Sequence, residues 1–330
     1  MEEQQVLNVG IIGCGLIGRK RAAALAPHRV VALHDSDAGA ARDLAARTPG
    51  AVVHATPAEL LSRPDIHAVI VATPHHVLAE LTLAALDAGK HVLVEKPAAA
   101  RPEELNAVIR RAASSGCVVR VGFNHRFHPA LRKAKELWDA GVAGEPMMIR
   151  GRYGHGGRVG YEKEWRAQEA VSGGGEAVDQ GVHLVDLARW FLGDFAEVSG
   201  YAPTLFWDMP VEDNAFMLLK NREGKPAWLH ATWTEWKNLF SFEISGRIGK
   251  LHIEGLGGSY GEEKLTWYEM KPEMGPPRVE TWEFPGPDVS WREEWQSFVV
   301  AIQGGESGQG ATLADALAAL TVAQQVRACR

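Results

Sequence analysis

The chain lacks several features that would place it in whole classes of protein. Its three cysteines, Cys14, Cys117 and Cys329, are an odd number and lie far apart, so the sequence predicts neither a disulfide framework nor a cysteine metal site. It contains no run of about 18 apolar residues, which argues against a membrane-spanning helix, and its acidic first residues lack the pattern expected of a signal peptide. We therefore expect a reduced, cytoplasmic protein.

Long basic runs are missing as well. Among 330 residues, 35 are Lys or Arg and 41 are Asp or Glu, so the formal net charge is −6, which argues against a nucleic-acid-binding surface. The sequence shows no internal repeat and no low-complexity tract, and its composition is that of an ordinary soluble protein. The length predicts two domains.

The first part of the chain is built around a glycine-rich turn. The apolar, β-branched run Val6–Ile12 predicts a buried parallel strand, and Gly13, Gly15 and Gly18 follow it as G-x-G-x-x-G before a helix pattern. In this setting Gly13 permits the tight turn, Gly15 lets a pyrophosphate approach the backbone, and Gly18 lets the helix pack against the strand. The turn predicts a dinucleotide site.

An acidic residue ends the second predicted strand. That strand covers residues 29–34, and Asp35 follows seventeen residues after Gly18, where a carboxylate that binds the ribose is expected. Such a carboxylate repels a 2′-phosphate, and no Arg or Lys lies between Asp35 and Arg42, so we expect NAD in preference to NADP. The alternative role for Asp35 is to cap the helix that begins near Ala38.

Strand and helix patterns continue to alternate up to residue 122, which predicts an α/β, doubly wound parallel sheet. Ligands bind beyond the carboxyl ends of such strands, and Lys96 follows one of them. Between Glu95 and Pro97, Lys96 is expected to point into the cofactor cleft and to stabilise developing alkoxide charge on a substrate. The alternative is an exposed Glu95–Lys96 ion pair.

The second part of the chain contains a predicted helix with both polar and apolar faces. It follows Gly173–Gly175, covers about residues 176–192 and ends at Gly193. At about 100° per residue, four side chains share one narrow stripe of it: Asp179, His183, Asp186 and Trp190. One hypothesis is a solvent-facing stripe with a His183–Asp186 pair, and the other is an acid/base pair that lines a substrate cleft.

The segment Gly154–Arg166, which precedes this helix, is rich in glycine, aromatic and basic residues. It is either a wall of the substrate site, with Trp165 stacked on a sugar and Arg158, Lys163 or Arg166 bound to an anion, or a mobile surface loop.

Strand patterns dominate after Glu197. In the predicted strand 227–236, Trp228, Thr232, Thr234 and Trp236 share one face. Aromatic and aliphatic residues on both faces predict that one face packs on helices and the other on a second subunit, as a dimer or tetramer. Two predicted helices, at about residues 290–302 and 312–328, close the chain.

Together these motifs resemble the glucose–fructose oxidoreductase / inositol dehydrogenase / rhizopine-catabolism (Gfo/Idh/MocA) family of NAD(P)-dependent oxidoreductases. Beyond the glycine turn and Asp35, the resemblance rests on four segments: Ala72-Thr73-Pro74, residues 89–97, residues 124–127, and Gly173–Gly175 leading to Asp179 and His183. It implies a Rossmann domain over residues 1–125. Residues 126–330 would then form an α+β domain with a large open, mainly antiparallel sheet, which mediates oligomerisation, and a C-terminal helix that packs back on the first domain.

The resemblance also implies an activity and the residues that serve it. The activity is hydride transfer between nicotinamide and a hydroxyl or keto carbon of a sugar, cyclitol or sugar derivative, including anionic and nucleotide-linked sugars. Lys96, Asp179 and His183 resemble the family's catalytic residues, with His183 as general acid/base, Asp179 as its partner and Lys96 as the contact to the oxyanion and the cofactor. The expected cofactor contacts are Gly13, Gly15, Leu16, Ile17, Gly18, Asp35, Thr73, Pro74, His76, Glu95, Lys96, Pro97 and Asn124. The expected substrate contacts are Lys96, Arg126, Tyr153, Arg158, Trp165, Arg166, Asp179 and His183.

The sequence departs from the family at two places, and three other activities stay open. His75 and His76 follow Thr73-Pro74, where the family often has a histidine near the position of Leu78, and His125 stands where the family often has Tyr or Arg. The same catalytic residues would serve a redox-assisted lyase or glycosidase that recycles its cofactor. A sugar sensor without catalysis, or a metal enzyme that uses Asp179 and His183 as ligands, would also fit parts of the pattern.

Overall fold

The computed structural model describes residues 6–273, 275–305 and 308–329. By its internal packing the chain divides into two compact units. The first consists of Met1–Phe123 and Trp291–Leu317, and the second of Asn124–Ser290 and Ala318–Arg330. Within the described ranges, none of the helices combines the length and the apolar character needed to cross a membrane.

The first unit contains a six-stranded parallel sheet. Its strands are β1 (Asn8–Ile12), β2 (Arg29–His34), β3 (Val52–Val53), β4 (Ala68–Val71), β5 (His91–Glu95) and β6 (Val119–Gly122). Their spatial order is β3-β2-β1-β4-β5-β6 with every neighbouring pair parallel. This order reverses between β1 and β4 and is that of a doubly wound dinucleotide-binding sheet, so the predicted fold class is confirmed.

Helices connect these strands. They are α1 (Leu16–Ala23), α2 (Ala38–Ala45), α3 (Pro57–Leu61), α4 (Leu78–Asp87) and α5 (Pro102–Ser115). All four residues of β4 are buried, as expected for a strand covered on both faces.

The second unit contains an eight-stranded sheet. Its strands are β7 (Pro146–Gly154), β8 (Phe195–Tyr201), β9 (Asn214–Asn221), β10 (Pro226–Thr232), β11 (Leu239–Gly246), β12 (Gly249–Glu254), β13 (Glu263–Glu269) and β14 (Arg278–Phe284), in the order β14-β13-β12-β11-β7-β10-β9-β8. The β7–β10 pair is parallel and the other neighbouring pairs are antiparallel, which confirms the predicted mainly antiparallel sheet.

Helices α6 (Pro129–Asp139), α7 (Glu169–Ser172) and α8 (Val182–Leu192) belong to the second unit, and α8 contacts β7 and β10. The chain then closes with α9 (Ser290–Ile302) and α10 (Leu313–Ala328). Trp295 and Phe298 of α9 are buried in the same cluster as Val9 and Ile11 of β1, so α9 completes the core of the first unit.

One predicted strand is too long. Strand β10 ends at Thr232, so Thr234 and Trp236 do not extend its face, and Trp236 is 93% exposed. The Thr232 side chain turns the chain at this point, because its Oγ1 accepts a hydrogen bond from the Thr234 N–H at 2.9 Å. Local side-chain bonds of this kind compete with sheet pairing, and the β-branched pattern alone does not reveal them.

Candidate active site

The glycine turn after β1 is closed on one side and open on the other. A Cβ on Gly13, whose φ is 99°, would lie 2.3 Å from the Ala72 carbonyl oxygen, and one on Gly18 would lie 2.0 Å from the Gly13 oxygen. A Cβ on Gly15 would meet no heavy atom within 4 Å. Gly15 also precedes α1, whose first N–H groups have no partner inside the helix, so open space and hydrogen-bond donors coincide here.

Asp35 is fixed by the turn rather than by the following helix. Its Oδ2 accepts the Cys14 N–H at 2.6 Å and its Oδ1 accepts the Asp37 N–H at 2.8 Å. The cap of α2 is Asp37, whose side chain accepts the Gly39 N–H at 2.7 Å, so the alternative role for Asp35 is wrong. A carboxylate has about four lone-pair sites, so Asp35 keeps acceptor capacity for ribose hydroxyls.

A third feature lies beside the turn. The hydroxyl of Thr73 is buried and has no hydrogen-bond partner among the described residues. Pro74 comes next and is followed by a short 3₁₀ turn, His75–Val77, in which His75 is buried and His76 is exposed. An unsatisfied buried hydroxyl, an open glycine and a fixed half-buried carboxylate at the carboxyl edge of one sheet fit a bound dinucleotide.

A buried arginine binds the first residue of the segment Glu95-Lys96-Pro97. Arg21 of α1 is fully buried, donates from Nε to Glu95 Oε1 at 2.7 Å and also pairs with Glu294. Burial alone would lower the pKa of Arg21, but Glu294 and Glu95 raise it above its ordinary value. Because Glu95 is buried and binds Arg21, an exposed Glu95–Lys96 pair is wrong, while Lys96 itself is half-buried.

Arg21 is a site residue that was not predicted from the sequence, although the sequence contains a cue to it. Arg21 lies three residues after Gly18, on the helix face that Gly18 turns toward the sheet, and both are buried. Its guanidinium also leaves little room at Gly122, where a Cβ would lie 2.6 Å from Nη2. A charged residue on the inward face of a glycine-led helix therefore indicates a buried ion pair.

In the second unit, the predicted helix over residues 176–192 consists of a π-helical turn, Ala177–Gly181, that continues into α8. It ends at Gly193, whose φ is 77°, as the sequence predicts. The residues of the predicted stripe contact different partners: Asp179 binds Arg166, His183 lies against His125, and Asp186 binds Arg126.

Asp186 takes a structural position. Its carboxylate accepts two hydrogen bonds from Arg126, from Nε at 2.8 Å and from Nη2 at 2.6 Å, and both side chains are buried. The hypothesis of a solvent-facing His183–Asp186 pair is therefore wrong. Arg126, an expected substrate contact, thus has its guanidinium bound to Asp186. Asn124, an expected cofactor contact, donates from Nδ2 to Ser290 Oγ at 2.9 Å.

His183 is buried among aromatic side chains. Its ring centroid lies 3.8 Å from that of His125, and both residues are buried. Tyr153 contacts His125 edge-on at 5.1 Å and lies 4.9 Å from Tyr260. Burial raises the pKa of Tyr153 well above its ordinary value, so this phenol stays protonated. An imidazole in such a site can exchange a proton with a substrate without competition from bulk water.

Asp179 lies against the Gly154–Arg166 segment. Its Oδ2 accepts the Arg166 Nε–H at 3.1 Å, and the Arg166 guanidinium stacks on Trp165 at 4.6 Å from the ring centroid. Asp179 raises the pKa of Arg166 against the opposing effect of burial. Arg158 pairs with Glu164 at 2.6 Å, and its side chain is largely exposed.

In the second unit, Arg166 joins Asp179 and Trp165, and the ring of Tyr153 lies 6.3 Å from that of His183. The glycine turn, Asp35, Thr73 and Lys96 belong to the first unit. Among the described residues, no group of three or more His, Cys, Asp or Glu side chains could hold a metal ion.

Comparison with known families covers most of the chain. The profile of the oxidoreductase family with an NAD-binding Rossmann fold matches residues 7–123. The profile of the GFO/IDH/MocA C-terminal domain matches residues 131–252.

Relatives and solved structures agree with these matches. Levoglucosan dehydrogenase of Pseudarthrobacter phenanthrenivorans is 32% identical over 282 residues, which are 81% of this chain and 71% of that protein. Inositol 2-dehydrogenase 2 of Saccharopolyspora erythraea is 32% identical over 226 residues, which are 66% of this chain and 64% of that protein. A structure of levoglucosan dehydrogenase with NADH and levoglucosan shares the fold, with a TM-score of 0.86 at 24% identity over 98% of this chain and 96% of that one. The chain belongs to the Gfo/Idh/MocA family of NAD-binding oxidoreductases.

Proposed function

We propose that this protein transfers a hydride between NAD and a hydroxyl or keto carbon of a sugar, cyclitol or sugar derivative. The observation that carries the proposal is a buried imidazole, His183, on the same helix as Asp179, in a chain whose other unit has an open glycine turn with a ribose-type carboxylate. The substrate class follows from relatives named for levoglucosan and inositol.

Asp35 supports NAD over NADP. Both of its oxygens accept backbone N–H bonds, which fix the carboxylate in place to bind ribose hydroxyls and to repel a 2′-phosphate. The residues proposed to hold the cofactor are Gly13, Gly15, Leu16, Ile17, Gly18, Asp35, Thr73, Pro74, His76, Glu95, Lys96, Pro97 and Asn124. When bound, nicotinamide supplies the hydride chemistry, and the protein orients and polarises the substrate.

Three side chains would transfer the proton, position the reacting hydroxyl and stabilise the negative charge on its oxygen. A ring nitrogen of His183 takes the hydroxyl proton during oxidation and returns it during reduction. Asp179 fixes the reacting hydroxyl and favours the imidazolium that forms. Lys96 donates a hydrogen bond to the same substrate oxygen and stabilises its developing negative charge. Arg126, Tyr153, Arg158, Trp165 and Arg166 are proposed as further substrate contacts.

The test is a screen for NADH formation from cyclitols, aldoses, uronates and nucleotide sugars, with Lys96→Ala, His183→Ala and the exposed-site control Lys271→Ala. Loss of one charge-stabilising donor costs about 10²–10³ in kcat, and loss of a general base costs about 10²–10⁴. Lys271→Ala should match the wild type. If Lys96→Ala and His183→Ala both keep wild-type turnover, the catalytic assignment is wrong. Sugar cleavage without net NADH would instead identify the redox-assisted lyase.

We further propose that residues 1–125 and 126–330 act as cofactor and substrate domains, and that the protein is a cytoplasmic homo-oligomer. The three free cysteines support a reducing compartment. One face of the eight-stranded sheet supports a dimer or tetramer, because Leu218 and Trp228 lie opposite each other on it and are 53% and 41% exposed. A single peak at monomer mass in analytical ultracentrifugation would contradict the oligomer.

A further inference from the structure

The glycine segment Gly173–Gly175 is tied to the last helix of the chain. The carbonyl oxygen of Gly173 accepts two hydrogen bonds from α10, one from Arg327 Nη1 at 2.9 Å and one from Gln324 Nε2 at 2.8 Å. Gly173 itself has a φ of 76°, a conformation that favours glycine. A turn that precedes Asp179 by only a few residues is therefore fixed by side chains about 150 residues further along the chain.

The buried carboxylate of Glu212 binds N–H groups of the same segment. Oε1 of Glu212 accepts the Gly175 N–H at 2.9 Å and the Ala177 N–H at 3.3 Å. The Glu212 carbonyl oxygen accepts the Glu176 N–H at 2.9 Å. Three successive N–H groups at the start of the helical segment thus bind one residue, and these are the groups that a helix leaves without internal partners.

Arg327 joins the two contacts into one assembly. Its Nε donates to Glu212 Oε2 at 2.8 Å and its Nη2 donates to Glu169 Oε1 at 2.7 Å, while Nη1 binds Gly173. The side chains of Glu212 and Arg327 are only 4% and 16% exposed, so their charge–charge contact is shielded from water. Gly175 packs tightly against Glu212, because a Cβ on Gly175 would lie 1.9 Å from the Glu212 carbonyl oxygen.

We propose that Arg327 and Glu212 are positioning residues for catalysis: they fix the glycine turn and, through the π turn that follows it, the orientation of Asp179 and His183. This inference rests on the proposed function of those two side chains. Asp179 lies two residues after Ala177, whose N–H binds Glu212, so release of the turn reaches Asp179 directly. A misplacement of about 1 Å at a reacting group costs on the order of 10² in rate.

The first experiment compares wild type, Arg327→Ala and Arg278→Ala, in which an exposed ion pair of the same unit is removed as the control. We expect Arg327→Ala to lower kcat about 10- to 100-fold with little change in the Kd for NADH, and Arg278→Ala to change neither. Added guanidinium or ethylguanidinium should restore part of the lost kcat in Arg327→Ala, because it can occupy the vacated cation site. Wild-type kcat in folded Arg327→Ala, or a lost kcat that no guanidinium restores, would overturn the proposal.

Two further measurements keep the proposal testable if Arg327→Ala fails to fold or if no substrate is found. Glu212→Gln retains the side-chain shape and one acceptor oxygen, and it should lower kcat in the same direction by a smaller factor. Amide hydrogen exchange needs no substrate, and exchange in residues 175–183 should rise in Arg327→Ala and Glu212→Gln but not in Arg278→Ala. Unchanged exchange would overturn the positioning role. An inactive wild type with the expected exchange pattern would instead contradict the proposed function.

Discussion

The substitution Gly15→Ala separates cofactor binding from folding. A Cβ at residue 15 would meet no heavy atom of the protein within 4 Å, and the backbone there has φ −69° and ψ −161°, which alanine can adopt. Reduced freedom of the unfolded chain should therefore leave the free energy of unfolding unchanged or raise it by about 0.4–1 kcal/mol. The new methyl group would occupy the space through which a pyrophosphate approaches the first N–H groups of α1. Overpacking of this kind costs about 1–3 kcal/mol, so the Kd for NADH should rise about 5- to 150-fold.

Gly18→Ala is the matched control, because the same methyl group has no room there. Its Cβ would lie 2.0 Å from the Gly13 carbonyl oxygen, which is backbone and cannot rotate away. We expect the urea midpoint of Gly18→Ala to fall well below that of wild type, while Gly15→Ala stays at or above it. The assay pairs urea denaturation with fluorescence titration of NADH. Wild-type NADH affinity in Gly15→Ala, or equal destabilisation by the two substitutions, would refute the assignment of Gly15 to the open side of the turn.

Three other predictions concern charge, protonation and backbone strain. Arg166→Ala should raise the KM of anionic sugars about tenfold but not that of neutral sugars, and equal effects on both would contradict an anion contact. Burial lowers the pKa of His91 below its ordinary value of 6.5, with a smaller effect of the same sign from His67, so the unfolded chain binds this proton more readily. The neutral ring accepts the Val118 N–H at 2.9 Å, so its stabilisation is present above about pH 6.5 and is lost as the pH falls through the folded pKa. Urea midpoints at high and low pH should therefore differ less in His91→Asn than in wild type, and equal differences would contradict this. Ala98 is buried and has a φ of 70°, so Ala98→Gly should relieve about 1–2 kcal/mol of strain but lose about 0.5–1 kcal/mol to backbone entropy and about 0.8 kcal/mol to the missing methyl group. These effects nearly cancel, so the melting temperature should stay close to that of wild type, and a large decrease would contradict the strain.

Some features of the site follow from short stretches of sequence. The positions of Gly13, Gly15 and Gly18 after an apolar strand determine a turn with a helix N-terminus at its end, and the structure has that turn. The stop at Gly193 also follows locally, because its φ of 77° is unfavourable for other residues. The predicted strands over residues 6–12 and 29–34 correspond to β1 and β2, since a strand's period reflects one local backbone conformation. The short elements β3 and α3 were not predicted, because segments of two and five residues are too short to show a period.

The arrangement of the charged side chains did not follow from local sequence. Periodicity at about 100° per residue placed Asp179 and Asp186 on one stripe, yet in the structure each binds a different arginine, Arg166 or Arg126. These arginines come from two separate segments that precede the helix, so the partner of each carboxylate depends on which segments pack against it. The π-helical turn Ala177–Gly181 was not predicted from the sequence either.

The sequence by itself therefore determined the two sheets, the glycine turn, Asp35 and the helical segment that carries Asp179 and His183. Only the tertiary structure decided which ion pairs support them, because Arg21 meets Glu95 across 74 residues of chain and Arg327 meets Glu212 across 115. A long charged side chain can reach many partners from a given backbone position, and burial allows only a paired arrangement. The pairing of these side chains depends on which elements pack together in the folded protein, and no local sequence pattern predicts it.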